Sequence, residues 1–165
     1  MRTSLALSAA AILATLSSPG LGAQAAPAQP AAAPGAHVMV GTHNIKWGPA
    51  PPSLPAGAQA AILDGDPGKP GLYIIRLKFP AGYKVPPHWH PTDEHVTLLA
   101  GSAMMGMGDK ADEASMHKWD AGTYAKMPAR ASHYVTATTE TIVQVTGMGP
   151  FEVTYVDPMN DPRKK

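Results

Sequence analysis

Beyond residue 37 the chain alternates apolar and polar positions in short runs, and glycine or proline cuts nearly every run. The clearest run is 72–79. Tyr73, Ile75, Leu77 and Phe79 fall on one face of an extended strand, with Ile74, Arg76 and Lys78 on the other. Runs of the same kind cover 38–40, 45–47, 59–63, 95–100, 103–107, 123–127, 133–138, 141–146 and 151–156. Asp64-Gly65-Asp66-Pro67-Gly68 is a dense turn signal. Residues 108–118 are polar and read as a loop or one helical turn, and 158–165 as a polar tail. No long stretch carries a helical period. About ten short strands separated by turn residues predict an all-β fold, an antiparallel sandwich or barrel.

The first 36 residues have a different character. Arg2 precedes an apolar, Ala/Leu-rich run from Leu5 to Leu16, then Ser17, Ser18, Pro19 and Gly20 break it. Ala23-Gln24-Ala25 is a small-x-small cleavage site, so residues 1–25 read as a secretory signal peptide cut after Ala23 or Ala25. Its apolar run of about 12 residues is short of the roughly 20 a membrane span needs. Residues 26–36 are rich in Ala and Pro and uncharged, an exported linker. Residues 37–165 remain, enough for one barrel around one core. The expected address is periplasmic or secreted, with no membrane span after processing.

Charge and cysteine content narrow the partners. The 13 basic residues include Arg2, so without the leader twelve oppose 12 acidic ones. The one basic cluster, Arg163-Lys164-Lys165, reads as a solvated tail, and nucleic acid is not an expected partner. With no cysteine in the chain, no thiolate is available to a metal.

The candidate chemistry lies between Gly82 and Gly101: His88, Trp89, His90 and, four residues further, Glu94. Along a strand His88 and His90 point the same way, with Trp89 opposite. Residues 91–93 supply a bend, and Glu94 then shares a phase with Val96 and Leu98, at the end of an inward apolar row. If the barrel closes, the carboxylate comes near both imidazoles, and His133 is a further candidate ligand. Imidazole plus carboxylate suits Fe, Mn, Ni, Cu or Zn. His37, His43, His95 and His117 read as ordinary histidines. Gln144 is either an inward polar contact to the site or an outward strand residue. Tyr83, Trp89 and Tyr124 read as packing residues, and the methionines as flexible core filling.

The Gly82–His88–His90–Glu94–Gly101 spacing resembles the first motif of the cupin superfamily, and all five positions match. Gly122, Pro128 and His133 fit the second motif, whereas Arg130 stands where the family has Gly and Ala137 where it has Asn. The resemblance implies a single-domain jelly-roll β-barrel with metal ligands His88, His90, Glu94 and His133. It also implies one divalent ion per chain (Fe(II) favoured; Zn, Mn, Ni or Cu as alternatives) and a small-molecule substrate or ligand. A homodimer is a family-level expectation. The leading functional expectation is a metal-dependent oxygenase (dioxygenase) acting on a small chelating enolisable or phenolic substrate, with Glu94 as ligand or catalytic base. The alternatives are a non-catalytic metal or small-ligand module, and a non-redox metallo-isomerase, lyase or hydrolase.

Overall fold

Two antiparallel sheets face each other across one apolar core in a computed structural model that describes residues 37–165. The expected signal peptide 1–25 and linker 26–36 lie outside the described residues. The strands are β1 (Gly48–Pro49), β2 (Gln59–Asp64), β3 (Gly71–Phe79), β4 (Lys84–Trp89), β5 (Glu94–Ala100), β6 (Ser102–Met107), β7 (His117–Asp120), β8 (Tyr124–Met127), β9 (His133–Ala137), β10 (Thr141–Gly149) and β11 (Thr154–Tyr155). One sheet runs β1-β2-β3-β10-β5-β8 and the other β11-β4-β9-β6-β7. This is the expected jelly roll.

Period-two alternation sets which side chains meet in the core. On β3 Tyr73, Ile75, Leu77 and Phe79 are buried while Ile74, Arg76 and Lys78 are half-exposed. β10 pairs with the whole of β3 and turns Thr141, Val143 and Val145 inward. Gln144 faces the other way and accepts a hydrogen bond from Arg76 Nε at 3.3 Å, so its amide is an outward strand group. β10 runs three residues past the expected end at 146 because Gly147 leaves space that a side chain would close. A Cβ there would lie 2.5 Å from the Tyr73 hydroxyl.

Other differences have similarly local causes. Residues 38–40 and 45–47 form no strand. Thr42–Asn44 turns the backbone into a short 3-10 helix, and Trp47 lies under the Lys78 ammonium, 4.5 Å from the ring centroid, rather than in a ladder. The polar stretch 108–118 contains the expected turn (Glu113–Ser115), but its end starts β7. Only Trp119 is buried in that His-Lys-Trp-Asp strand, too little alternation to be legible. The strand expected over 151–156 shrinks to Thr154–Tyr155, because Phe151 leaves the ladder to cover the site described below. The tail is docked rather than loose: Arg163 donates to both Asp161 oxygens at 2.8 Å and to the Val153 carbonyl at 2.9 Å.

Candidate metal centre

Two prolines prepare the first ligand. Pro86 and Pro87 in β4 have no N–H to give, and the ladder with β9 shifts register between Val85 and His88. The Pro86 carbonyl accepts instead from His88 Nδ1, at 2.8 Å. His88 lies directly opposite His133 at the start of β9, and His133 Nδ1 donates to the Ala131 carbonyl at 3.0 Å. His90 follows β4 by one residue, and its Nδ1 donates to the Glu152 carbonyl at 2.6 Å. Residues 91–93 then bend the chain, and β5 opens with Glu94.

Carbonyls only accept, so each of the three rings carries its proton on Nδ1 and presents a bare Nε2. The rings converge: one ligand-capable nitrogen of each lies within 4.8 Å of the others. Glu94 Oε2 sits 3.5 Å from His90 Nε2 and 3.5 Å from His133 Nε2. Those separations are too long for good hydrogen bonds. Among the described residues the ligand atoms mutually within 4.8 Å are those of the three histidines, and the carboxylate stands beside two of them. All four side chains are buried, from 3% exposure at His133 to 6% at His90 and Glu94. Among the described residues His90 Nε2 has no hydrogen-bond partner. Leaving a buried nitrogen unsatisfied costs about 1–3 kcal/mol, and a shared divalent ion would remove that cost for the cluster. The residues fit a metal.

Electrostatics favour a neutral imidazole at His88. Burial, with the neighbouring His133 and His90, pushes His88 down to about 3. Burial alone would raise the Glu94 carboxyl, but the imidazoles of His90, His133 and His88 outweigh it and hold it below its ordinary value. A pH dependence follows for the metal-free protein. The unfolded chain protonates His88 near its ordinary 6.5, whereas the folded ring stays neutral down to about 3. Stability from this group is therefore complete above about pH 6.5 and lost as the pH falls toward 3. The lowered Glu94 carboxyl contributes in the same direction at more acid pH. We expect the urea-unfolding free energy to fall between pH 6 and pH 4 by on the order of 1 kcal/mol per unit. A flat profile would mean that His88 is solvated.

The four groups line a cavity between the sheets. Its walls include Leu77, Phe79, Val96, Met105, Trp119 and Phe151. Thr141 also lines it, but its hydroxyl is directed to the backbone carbonyls of Ser102 and Thr139. The cavity offers about 60 Å³ to the centres of water-sized molecules, room for a few waters.

The structure thus brings His88, His90, Glu94 and His133 together. His37, His43, His95 and His117 lie outside the cavity; His95 faces out from β5 and shares a 2.7 Å hydrogen bond with the Tyr124 hydroxyl. Tyr83 packs, stacking on Phe79 with centroids 4.9 Å apart and donating to the Pro55 carbonyl. The cover of the site is not legible in the sequence. Phe151 stacks on His90 at 5.4 Å, Tyr155 flanks His88 at 5.9 Å, and Leu54 reaches in from the loop before β2. That loop is pinned by the Tyr155 hydroxyl, which donates to the Ser53 carbonyl at 2.8 Å. No local pattern marks these residues, since each acts through a long-range contact.

A two-sheet antiparallel barrel with three imidazoles gathered inside one end is a cupin fold. The chain belongs to the family described as a domain of unknown function, DUF4437, which matches residues 16–154. Comparison with curated proteins gives no match. Among solved structures the chain is similar to the polyketide cyclase RemF from Streptomyces resistomycificus (TM-score 0.60, 16% identity, 78% of this chain and 92% of that one). It is also similar to a candidate acetylacetone dioxygenase from Methylibium petroleiphilum (TM-score 0.58, 21% identity, 77% and 85%). A third is an RmlC-like cupin from Shewanella frigidimarina (TM-score 0.52, 16% identity, 69% and 91%). At these identities the likeness is one of fold. Among the described residues no helix is long and apolar enough to cross a membrane.

Proposed function

We propose that this protein is an exported, metal-dependent oxygenase. In this reading Fe(II) is held by His88, His90 and His133 together with Glu94, and the substrate is a small enolisable or phenolic chelator. The observation that carries it is the convergence of three bare imidazole nitrogens, with one carboxylate beside two of them, on a cavity with apolar walls. The bound ion would supply a Lewis-acid centre and a redox couple beside which a chelating substrate and dioxygen can meet.

The chain's own residues supply the rest. The cavity's aliphatic and aromatic walls disfavour charged or heavily hydroxylated molecules. Dioxygen, itself apolar, partitions readily into such walls. Glu94 is the only carboxylate lining the cavity, so an acidic C–H or O–H proton of the substrate has Oε2 as its acceptor. The Nδ1 hydrogen bonds to Pro86, Glu152 and Ala131 fix each ring against rotation. Export rests on the leader pattern of residues 1–25.

Oxygen uptake tests the proposal. The Fe(II)-loaded chain is expected to consume dioxygen in the presence of a small 1,3-diketone or catechol and not in its absence. Conversion that continues without dioxygen would instead indicate a non-redox isomerase, lyase or hydrolase. Tight ligand binding with no conversion would indicate a non-catalytic module, a reading favoured by the lack of a second acid/base group beside Glu94.

A further inference from the structure

Arg130 occupies a position that its own side chain disfavours. It is the third residue of a turn closed by the Ala131 amide donating to the Pro128 carbonyl at 3.0 Å. Its φ is 63°, in the left-handed region, and it is the only non-glycine residue there among the described residues. A strained conformation persists where surrounding contacts over-determine it, and Arg130 has such contacts. Its amide donates to the His90 carbonyl at 2.8 Å. Its guanidinium lies over the Trp89 ring, 5.4 Å from the centroid. Trp89 separates His88 from His90 and faces away from them, so the ring is a handle on the segment that carries both ligands.

The same turn orients the third histidine, because Ala131 supplies the carbonyl that accepts from His133 Nδ1. Asp93 reinforces the junction by accepting from the Ala129 amide at 2.8 Å and pairing with Lys126 at 2.6 Å. Three segments bearing His88 and His90, Glu94, and His133 therefore meet at the 128–131 turn. A glycine at position 130 would keep the backbone link and lose the guanidinium.

We infer that Arg130 is a positioning residue for the histidine cluster: its amide on His90 and its guanidinium on Trp89 set how His133 approaches His88 and His90. The inference rests on the proposal that these histidines bind a metal. Co(II) titration of the full chain tests it, following the visible absorption bands of the bound ion, which report coordination geometry. Arg130→Gly is expected to weaken Co(II) binding about tenfold, the lower end of losses seen when groups behind metal ligands are removed, and to change the band envelope. Arg130→Lys, which keeps a cation but not the planar stack, should fall between. The melting temperature of metal-free Arg130→Gly should stay within about 4 °C of the parent, because relief of the left-handed strain offsets the lost ring contact.

Equal Co(II) affinity and identical spectra in parent and Arg130→Gly would overturn the inference and leave the metal centre standing. A much larger melting-temperature drop in that variant would also overturn it, making Arg130 a general structural residue. A parent chain that binds no Co(II) would remove the metal centre itself and this inference with it.

Discussion

Alanine at His88, His90 or His133 is expected to abolish stoichiometric binding of a divalent ion. Each ring supplies one of three nitrogens gathered within 4.8 Å, and no other imidazole lines the cavity to replace it. The loss should exceed about 100-fold in affinity, beyond the range typical of residues that merely support a ligand. Each truncation also removes a buried ring and its Nδ1 hydrogen bond, so the melting temperature of every variant is compared beside its titration. Isothermal titration of each variant, with His95→Ala and His117→Ala as outward controls, checks the assignment. Full occupancy in all three cluster variants would remove it.

Glu94→Gln is expected to keep the ion and lose the reaction. The three histidines remain, and the amide is nearly isosteric with the carboxylate, so binding should weaken by roughly 10–100-fold rather than vanish. The amide cannot accept a substrate proton, and the cavity holds no second carboxylate to take its place. Substrate-dependent oxygen uptake should therefore fall to background at saturating metal. Retained uptake would show that Glu94 acts only as a ligand. Loss of the ion with the substitution would give the carboxylate a larger share of the binding than its two 3.5 Å contacts suggest.

Much of this site was legible in the chain because strand geometry is a simple code. The period of two put His88 and His90 on one side and Trp89 on the other, and aligned Glu94 with Val96 and Leu98; all of these but the half-buried Trp89 are buried. The Arg130 departure from the cupin pattern was also visible, and it marks a residue with left-handed backbone. The hidden parts depend on contacts distant in sequence. β7 reads as polar because a single buried tryptophan carries it. Phe151, Leu54 and the Glu152 carbonyl reach the centre only after β10 and the loop before β2 are in place. Gln144 illustrates the limit of pattern reading, since its outward phase became clear only from the register with Arg76.

The most direct measurement is the metal content of the chain purified from its native compartment without added metal. About one iron atom per chain is expected, lost together with the imidazoles in the alanine variants. A chain that contains no metal and takes none up on titration with Fe(II), Zn(II), Mn(II) or Ni(II) would contradict that expectation.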